Sequence, residues 1–213
     1  MWRQGVVACL AALGLMLPAP VPATATSLRG AGPPGTQAAA PSRRPAPARS
    51  AASPGVLLDV PFVKQREKNG CGVASLSMVM QYWARQQGRA PSARAGQRAI
   101  EQALDPRARG IANTALEGYL RASGYRTFAF SGRWGDLREN LEKGRPLIVG
   151  LGPEGKKGPL HYVVVAGIDW EHDFVFLNDP AERKLFRVDR GRFEREWQVT
   201  GNWTLLAVPQ PVG

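Results

Sequence analysis

Gln65-Arg-Glu-Lys-Asn-Gly-Cys71-Gly-Val-Ala-Ser-Leu76 is the stretch from which the rest of the chain is read. Its first half is polar and ends in Asn69-Gly70, a turn signal. Its second half opens a helix. Leu76, Val79, Met80 and Trp83 recur at offsets of three and four, which lays one apolar face along a helix from Cys71 to about Gln87. Cys71 therefore sits where a loop becomes a helix. Unpaired backbone N–H groups and the positive end of the helix dipole favour a thiolate there. Gly70 and Gly72 flank the thiol, and their lack of side chains is expected to let a substrate approach the backbone closely.

Outward from this stretch the pattern changes once. On the N-terminal side, Val56–Val63 reads as extended, with Pro61 placing it at a sheet edge. On the C-terminal side three more helices are expected first. They are Arg94–Leu104, stopped by Asp105-Pro106; a helix capped by Asn113 and running to Ser123 before Gly124; and Trp134–Lys143 before Gly144. Strands then take over at Pro146–Leu151, Tyr162–Ile168, Phe174–Leu177, Lys184–Val188 and Trp203–Val208, with a short helix at Arg190–Trp197. Helices followed by consecutive strands indicate an α+β domain whose helical part packs on a mostly antiparallel sheet.

The N-terminal quarter is different in kind. Residues 1–25 have the make-up of a secretory signal peptide: Arg3, an apolar run from Gly5 to Leu17, and Ala23-Thr24-Ala25 as a cleavage pattern. The apolar run is shorter than the roughly 20 residues a membrane span needs, so the mature chain is expected to have no span. Residues 26–54 are rich in Ala, Pro, Ser, Gly and Arg, have almost no large apolar side chains, and read as a linker. The folded domain is assigned to residues 55–213, and the protein to the periplasm or the exterior of the cell.

Export changes the meaning of the cysteines. Cys9 leaves with the signal peptide, and Cys71 is then the one thiol of the mature chain. A disulfide within it is excluded, and a reactive cysteine becomes a candidate beside a buried structural one. His161 opens an apolar, β-branched strand, where a neutral imidazole can accept the thiol proton. His172, the other histidine, falls in the charged hairpin turn Asp169–Asp173. Asp179, in Asn178-Asp179-Pro180, follows the strand that neighbours the His161 strand and can orient the ring. Asn178 is the alternative for that role. Gln65, six residues before Cys71, can join the Cys71 N–H in an oxyanion hole.

Each of these residues has an ordinary structural reading by itself. In the order Gln65, Cys71, His161, Asp179, with Cys-Gly-Val-Ala-Ser-Leu and His-Tyr-Val-Val-Val around them, the chain resembles the bacteriocin-processing, double-glycine cysteine peptidases of the papain-like superfamily. The resemblance covers about Val56 to Val208. It implies a papain-like fold, a nucleophile at Cys71, a base at His161, an orienting carboxylate at Asp179 and an oxyanion donor at Gln65. It implies peptide-bond hydrolysis with no metal or organic cofactor.

The best-known relatives are N-terminal domains of peptide-exporting ABC transporters. This sequence has neither a run of spans nor a phosphate-binding loop, so a stand-alone secreted member is expected. A peptide or protein is the expected partner. The net charge of +11 is partly concentrated before Asp59, and no nucleic-acid-binding motif accompanies it. Two other readings compete: a non-catalytic peptide-binding module of the same fold, and a papain-like cell-wall amidase. The oligomeric state is not legible.

Overall fold

The computed structural model describes residues 55–89, 93–105, 110–153 and 160–211. The signal-peptide and linker assignments lie outside them. Twelve elements follow in chain order: β1 (Gly55–Leu57), α1 (Cys71–Gln86), α2 (Ala93–Leu104), α3 (Asn113–Ala122), β2 (Tyr125–Ser131), α4 (Trp134–Glu142), β3 (Leu147–Leu151), β4 (His161–Asp169), β5 (Phe174–Asn178), β6 (Phe186–Asp189), α5 (Arg190–Gln198) and β7 (Trp203–Pro209). No helix among the described residues is long and apolar enough to cross a membrane.

Every strand pair is antiparallel, in the order β2-β7-β3-β4-β5-β6. β4 is the centre of the sheet. Its first half, His161 to Val165, pairs with β3. On the same edge β1 takes over at Gly167 to Asp169. The ladder to β5 shifts register between Val165 and Gly167, which marks a bulge. A side chain at Gly167 would strike Leu57 at 2.6 Å and the Val56 carbonyl at 2.8 Å, so only glycine admits β1 here.

Helices cover both faces. Tyr162, Val164 and Ala166 point to one side, into a core shared with Val73, Leu76 and Val79 of α1, Ile100 of α2 and Leu116 and Leu120 of α3. Val163, Val165 and Ile168 point to the other, against Leu137 and Leu141 of α4 and Phe193 and Trp197 of α5. That double cover explains why β4 reads as an unbroken apolar run rather than an alternating one: residues 162–168 are all buried.

The expected α+β class, the helix order and the antiparallel sheet are what the structure has. Two details differ. The strand β2 was not expected. It is an edge strand whose residues alternate without a clean apolar face, with Phe128 44% exposed. Its full-length pairing with β7 fixes it in the sheet. Second, Asn113 does not cap α3: the N-cap is Ala112, and no side chain caps the helix. The Asn113 side chain is engaged by the Tyr162 hydroxyl, which also donates to the Ile111 carbonyl at 3.0 Å. β1 is also shorter than the expected Val56–Val63 strand. Beyond Leu57 the chain keeps one further bond to β4, Leu58 N–H to the Ala166 carbonyl.

Candidate active site

Cys71 is the first residue of α1, preceded by Gly70, and is 8% exposed. The helix start is fastened to the central strand. Ser75, one turn on, donates to the Tyr162 carbonyl at 3.1 Å. Gly72 is required by the same seam: a Cβ there would lie 3.1 Å from Leu116 and 3.3 Å from Tyr162. Its role is thus packing of α1 against α3 and β4, rather than clearance for a substrate.

His161 is the first residue of β4, at the end of the sheet nearest that helix start. Cys71 and His161 line the same cleft, and each side chain shifts the titration of the other. On its far side the ring meets Asp179: Nε2 to Oδ1 is 2.7 Å. With Nε2 engaged, Nδ1 is the ring nitrogen available to the thiol.

Asp179 is held where β5 ends. Its carboxylate accepts the Ala181 N–H at 2.9 Å, closing a turn over residues 179–182. Asn178, the alternative orienting residue, is consumed elsewhere. It is fully buried, donates to the Val60 carbonyl at 3.0 Å and accepts the Leu185 N–H at 3.0 Å. It supports the turn on which Asp179 stands.

Gln65 is tied to the same turn, its N–H donating to the Pro180 carbonyl at 3.1 Å. Its side-chain amide donates to the Lys68 carbonyl at 3.1 Å, and its Oε1 is buried without a partner. A Cβ on Gly70 would lie 3.5 Å from the Gln65 Cβ, so the glutamine stands directly against the residue before the thiol. His172 is apart from this group, exposed and paired with Asp169 at 2.9 Å.

The electrostatics follow from this arrangement. Burial would push the Cys71 thiol up. The His161 hydrogen bond and charge, with backbone hydrogen bonds from Tyr162 and Gly72, outweigh it and hold the thiol below its ordinary value. Burial would likewise lower His161. The hydrogen bonds to Asp179 and Cys71 and their negative charges push it instead to about 10. Asp179 is drawn below the usual carboxylate range: burial opposes this, while His161 and the backbone N–H groups of Ala181 and Glu182 favour it. The three shifts all run toward a thiolate facing an imidazolium, with a carboxylate behind. That is the charge arrangement of an activated sulfur nucleophile.

A cleft of about 660 Å³ opens over Cys71 and His161. Its other walls are Lys68 and Asn69, the segment Gly110–Thr114 that leads into α3, and Leu160 and Tyr162. The bond from Tyr162 to Ile111 ties the wall to the sheet.

Residues 57–205 match the model of the Peptidase_C39 like family. No curated protein matches the sequence. Among solved structures, the peptidase domain of Streptococcus ComA, a bifunctional ABC transporter involved in quorum sensing, is 24% identical with a TM-score of 0.53. That comparison covers 70% of this chain and 98% of the other. A double-glycine-motif protease from an AMS/PCAT transporter, solved with its leader peptide, is 21% identical (TM-score 0.53, 73% and 95% covered). A C39-like peptidase from Bacillus anthracis is 20% identical (TM-score 0.56, 73% and 98% covered). At these identities the likeness is one of fold, and the fold is that of papain-like peptidase domains.

Proposed function

The chain belongs to the Peptidase_C39 like family, and on that premise we propose that it is an exported cysteine peptidase using Cys71, His161, Asp179 and Gln65. The observation that carries the reading is that His161 lines one cleft with Cys71 and bonds Asp179 at 2.7 Å through Nε2.

In this mechanism the Cys71 thiolate attacks the scissile carbonyl. The new C–S bond forms as the carbonyl electrons move to oxygen, and the oxyanion faces the N–H groups at the start of α1. Gln65 joins them by turning its amide from the Lys68 carbonyl, a bond it makes at the protein surface. The tetrahedral adduct collapses, the C–N bond breaks, and the imidazolium proton of His161 passes to the leaving amine. Water, deprotonated by the now neutral imidazole, hydrolyses the thioester and restores the thiolate–imidazolium pair. Asp179 keeps Nε2 occupied throughout, so that Nδ1 faces the reaction.

The acyl half of the substrate lies in the cleft between Lys68-Asn69 and the Gly110–Thr114 wall. Double-glycine sequences are the first acyl halves to examine. Export follows from the reading of residues 1–25 as a signal peptide, and places the enzyme outside the cytoplasm.

The test is turnover of a peptide library by wild type and by Cys71→Ala. Removal of the nucleophile is expected to lower kcat/KM by at least about 1000-fold. Equal turnover by both proteins excludes the reading. Peptide binding without turnover by wild type favours the non-catalytic module, and release of amine from cell-wall peptides alone favours the amidase.

A further inference from the structure

A second cavity, of about 360 Å³, begins on the other side of His161. Its walls include Leu151, Leu177, Phe186 and Val188, with Arg192 and Glu196 of α5 and Glu182 at the rim. Asp179 and His161 close its inner end. His161 is the one residue that lines both this cavity and the cleft over Cys71.

That sharing assigns the two halves of a substrate. The acyl half stays bonded to sulfur, so it must occupy the cavity that Cys71 lines. The leaving amine takes its proton from His161, so the chain beyond it departs past the imidazole, toward the cavity that His161 lines and Cys71 does not.

The chemistry of the second cavity is apolar. Leu151, Leu177 and Val188 are nearly fully buried and form its floor. Apart from the Glu182 carboxylate, its polar side chains are already engaged. Arg192 Nε donates to Glu196 Oε1 at 2.8 Å, and the guanidinium lies 6.0 Å from the centre of the Phe186 ring. The Glu196 carbonyl accepts the Gly152 N–H at 2.9 Å. Asp179 Oδ1 is taken by His161 and the Ala181 N–H. A basic side chain would find only the Glu182 carboxylate at the exposed rim, and any charged side chain would lose hydration over the apolar floor. An acidic one would also meet the carboxylates of Glu182 and Asp179.

We propose that this cavity is the subsite for the residue following the scissile bond, and that it selects a large apolar side chain there. The inference rests on the peptidase reading above. It is tested with internally quenched peptides that share one acyl half and vary only in the first leaving-side residue. Wild type is expected to prefer Leu or Phe over Gly by at least about 10-fold in kcat/KM, and to turn over Asp most slowly. Phe186→Ala removes one wall and is expected to reduce that preference to about 3-fold or less. Arg192→Ala, at an exposed rim position, provides a second variant for the case in which Phe186→Ala does not fold, with the preference again reduced. A flat leaving-side profile in wild type, with peptides still cleaved, overturns this inference alone. Absence of cleavage of every peptide overturns it together with the peptidase reading.

Discussion

Asp179 does two things at once. Its Oδ1 accepts the Ala181 N–H that shapes the turn, and its charge holds the imidazolium. Asp179→Asn keeps a carbonyl oxygen for the turn and removes the charge, so it separates these roles. With less support for the imidazolium, His161 titrates lower and the thiolate loses its partner. The wild-type rate of iodoacetamide labelling is expected to stay high below pH 9.0, because Cys71 is held below that value. In Asp179→Asn the acid limb is expected to move up toward 9.0, and kcat/KM for a peptide to fall by roughly 10- to 100-fold. The loss is smaller than for a serine triad because the sulfur is the stronger nucleophile before any help. In wild type, peptide hydrolysis should also decline on the alkaline side as His161 loses its proton near pH 10, while alkylation does not. An unchanged labelling profile in the variant would show that Asp179 serves only the turn.

At the level of elements, α5 is the one whose packing is most concentrated. Asp189 caps its start, accepting the Arg192 N–H at 2.9 Å. Phe193 and Trp197 are then buried one turn apart, their rings 5.1 Å centre to centre. The Trp197 indole donates to the Trp203 carbonyl at 3.2 Å and fills the space over Gly132, where a Cβ would fall 2.6 Å from the ring. Trp197→Ala is expected to destabilise the domain by about 3–5 kcal/mol, measured by urea unfolding. Labelling of Cys71 in the fraction that remains folded should be unaffected, since α5 lies across the sheet from α1. A loss below about 1 kcal/mol would show that the two face cores are not one cooperative unit.

For the whole molecule, the paired charges make stability depend on pH in a defined way. His161 is raised in the fold, so its contribution is complete below 6.5 and is lost as pH rises toward about 10. Cys71 is lowered, so its contribution is complete above 9.0 and is lost as pH falls through its lowered value. Where these ranges overlap the two slopes oppose, because the pair holds one proton whether it stands as thiol and imidazole or as thiolate and imidazolium. Thermal unfolding of wild type minus the Cys71→Ser/His161→Gln double variant, which carries neither titrating group, is therefore expected to show a flat difference through neutral pH. Above pH 9.0 the difference should fall. A difference that climbs steadily from pH 7 to 10 would contradict the ion pair.

Much of this was legible in one dimension. The 3.6-residue spacing after Cys71, the glycines at 124 and 144, and the apolar run of β4 placed four helices and the central strands near their observed ends. Local rules fail where an element is held by a neighbour. β2 has no apolar face of its own and exists through β7. Asn113 has the composition of a cap, but its amide is drawn to Tyr162 across the cleft. At the site, residue types and their order identify the candidate thiol, imidazole and carboxylate, because such chemistry needs those groups and the chain has only two cysteines and two histidines. Choosing Asp179 over Asn178, placing Nδ1 toward the sulfur, and setting the cavity beyond His161 are matters of distance. Sequence order carries residue identity and local periodicity; only packing of α1 against the end of β4 determines which atoms, ninety residues apart, come within reach of each other.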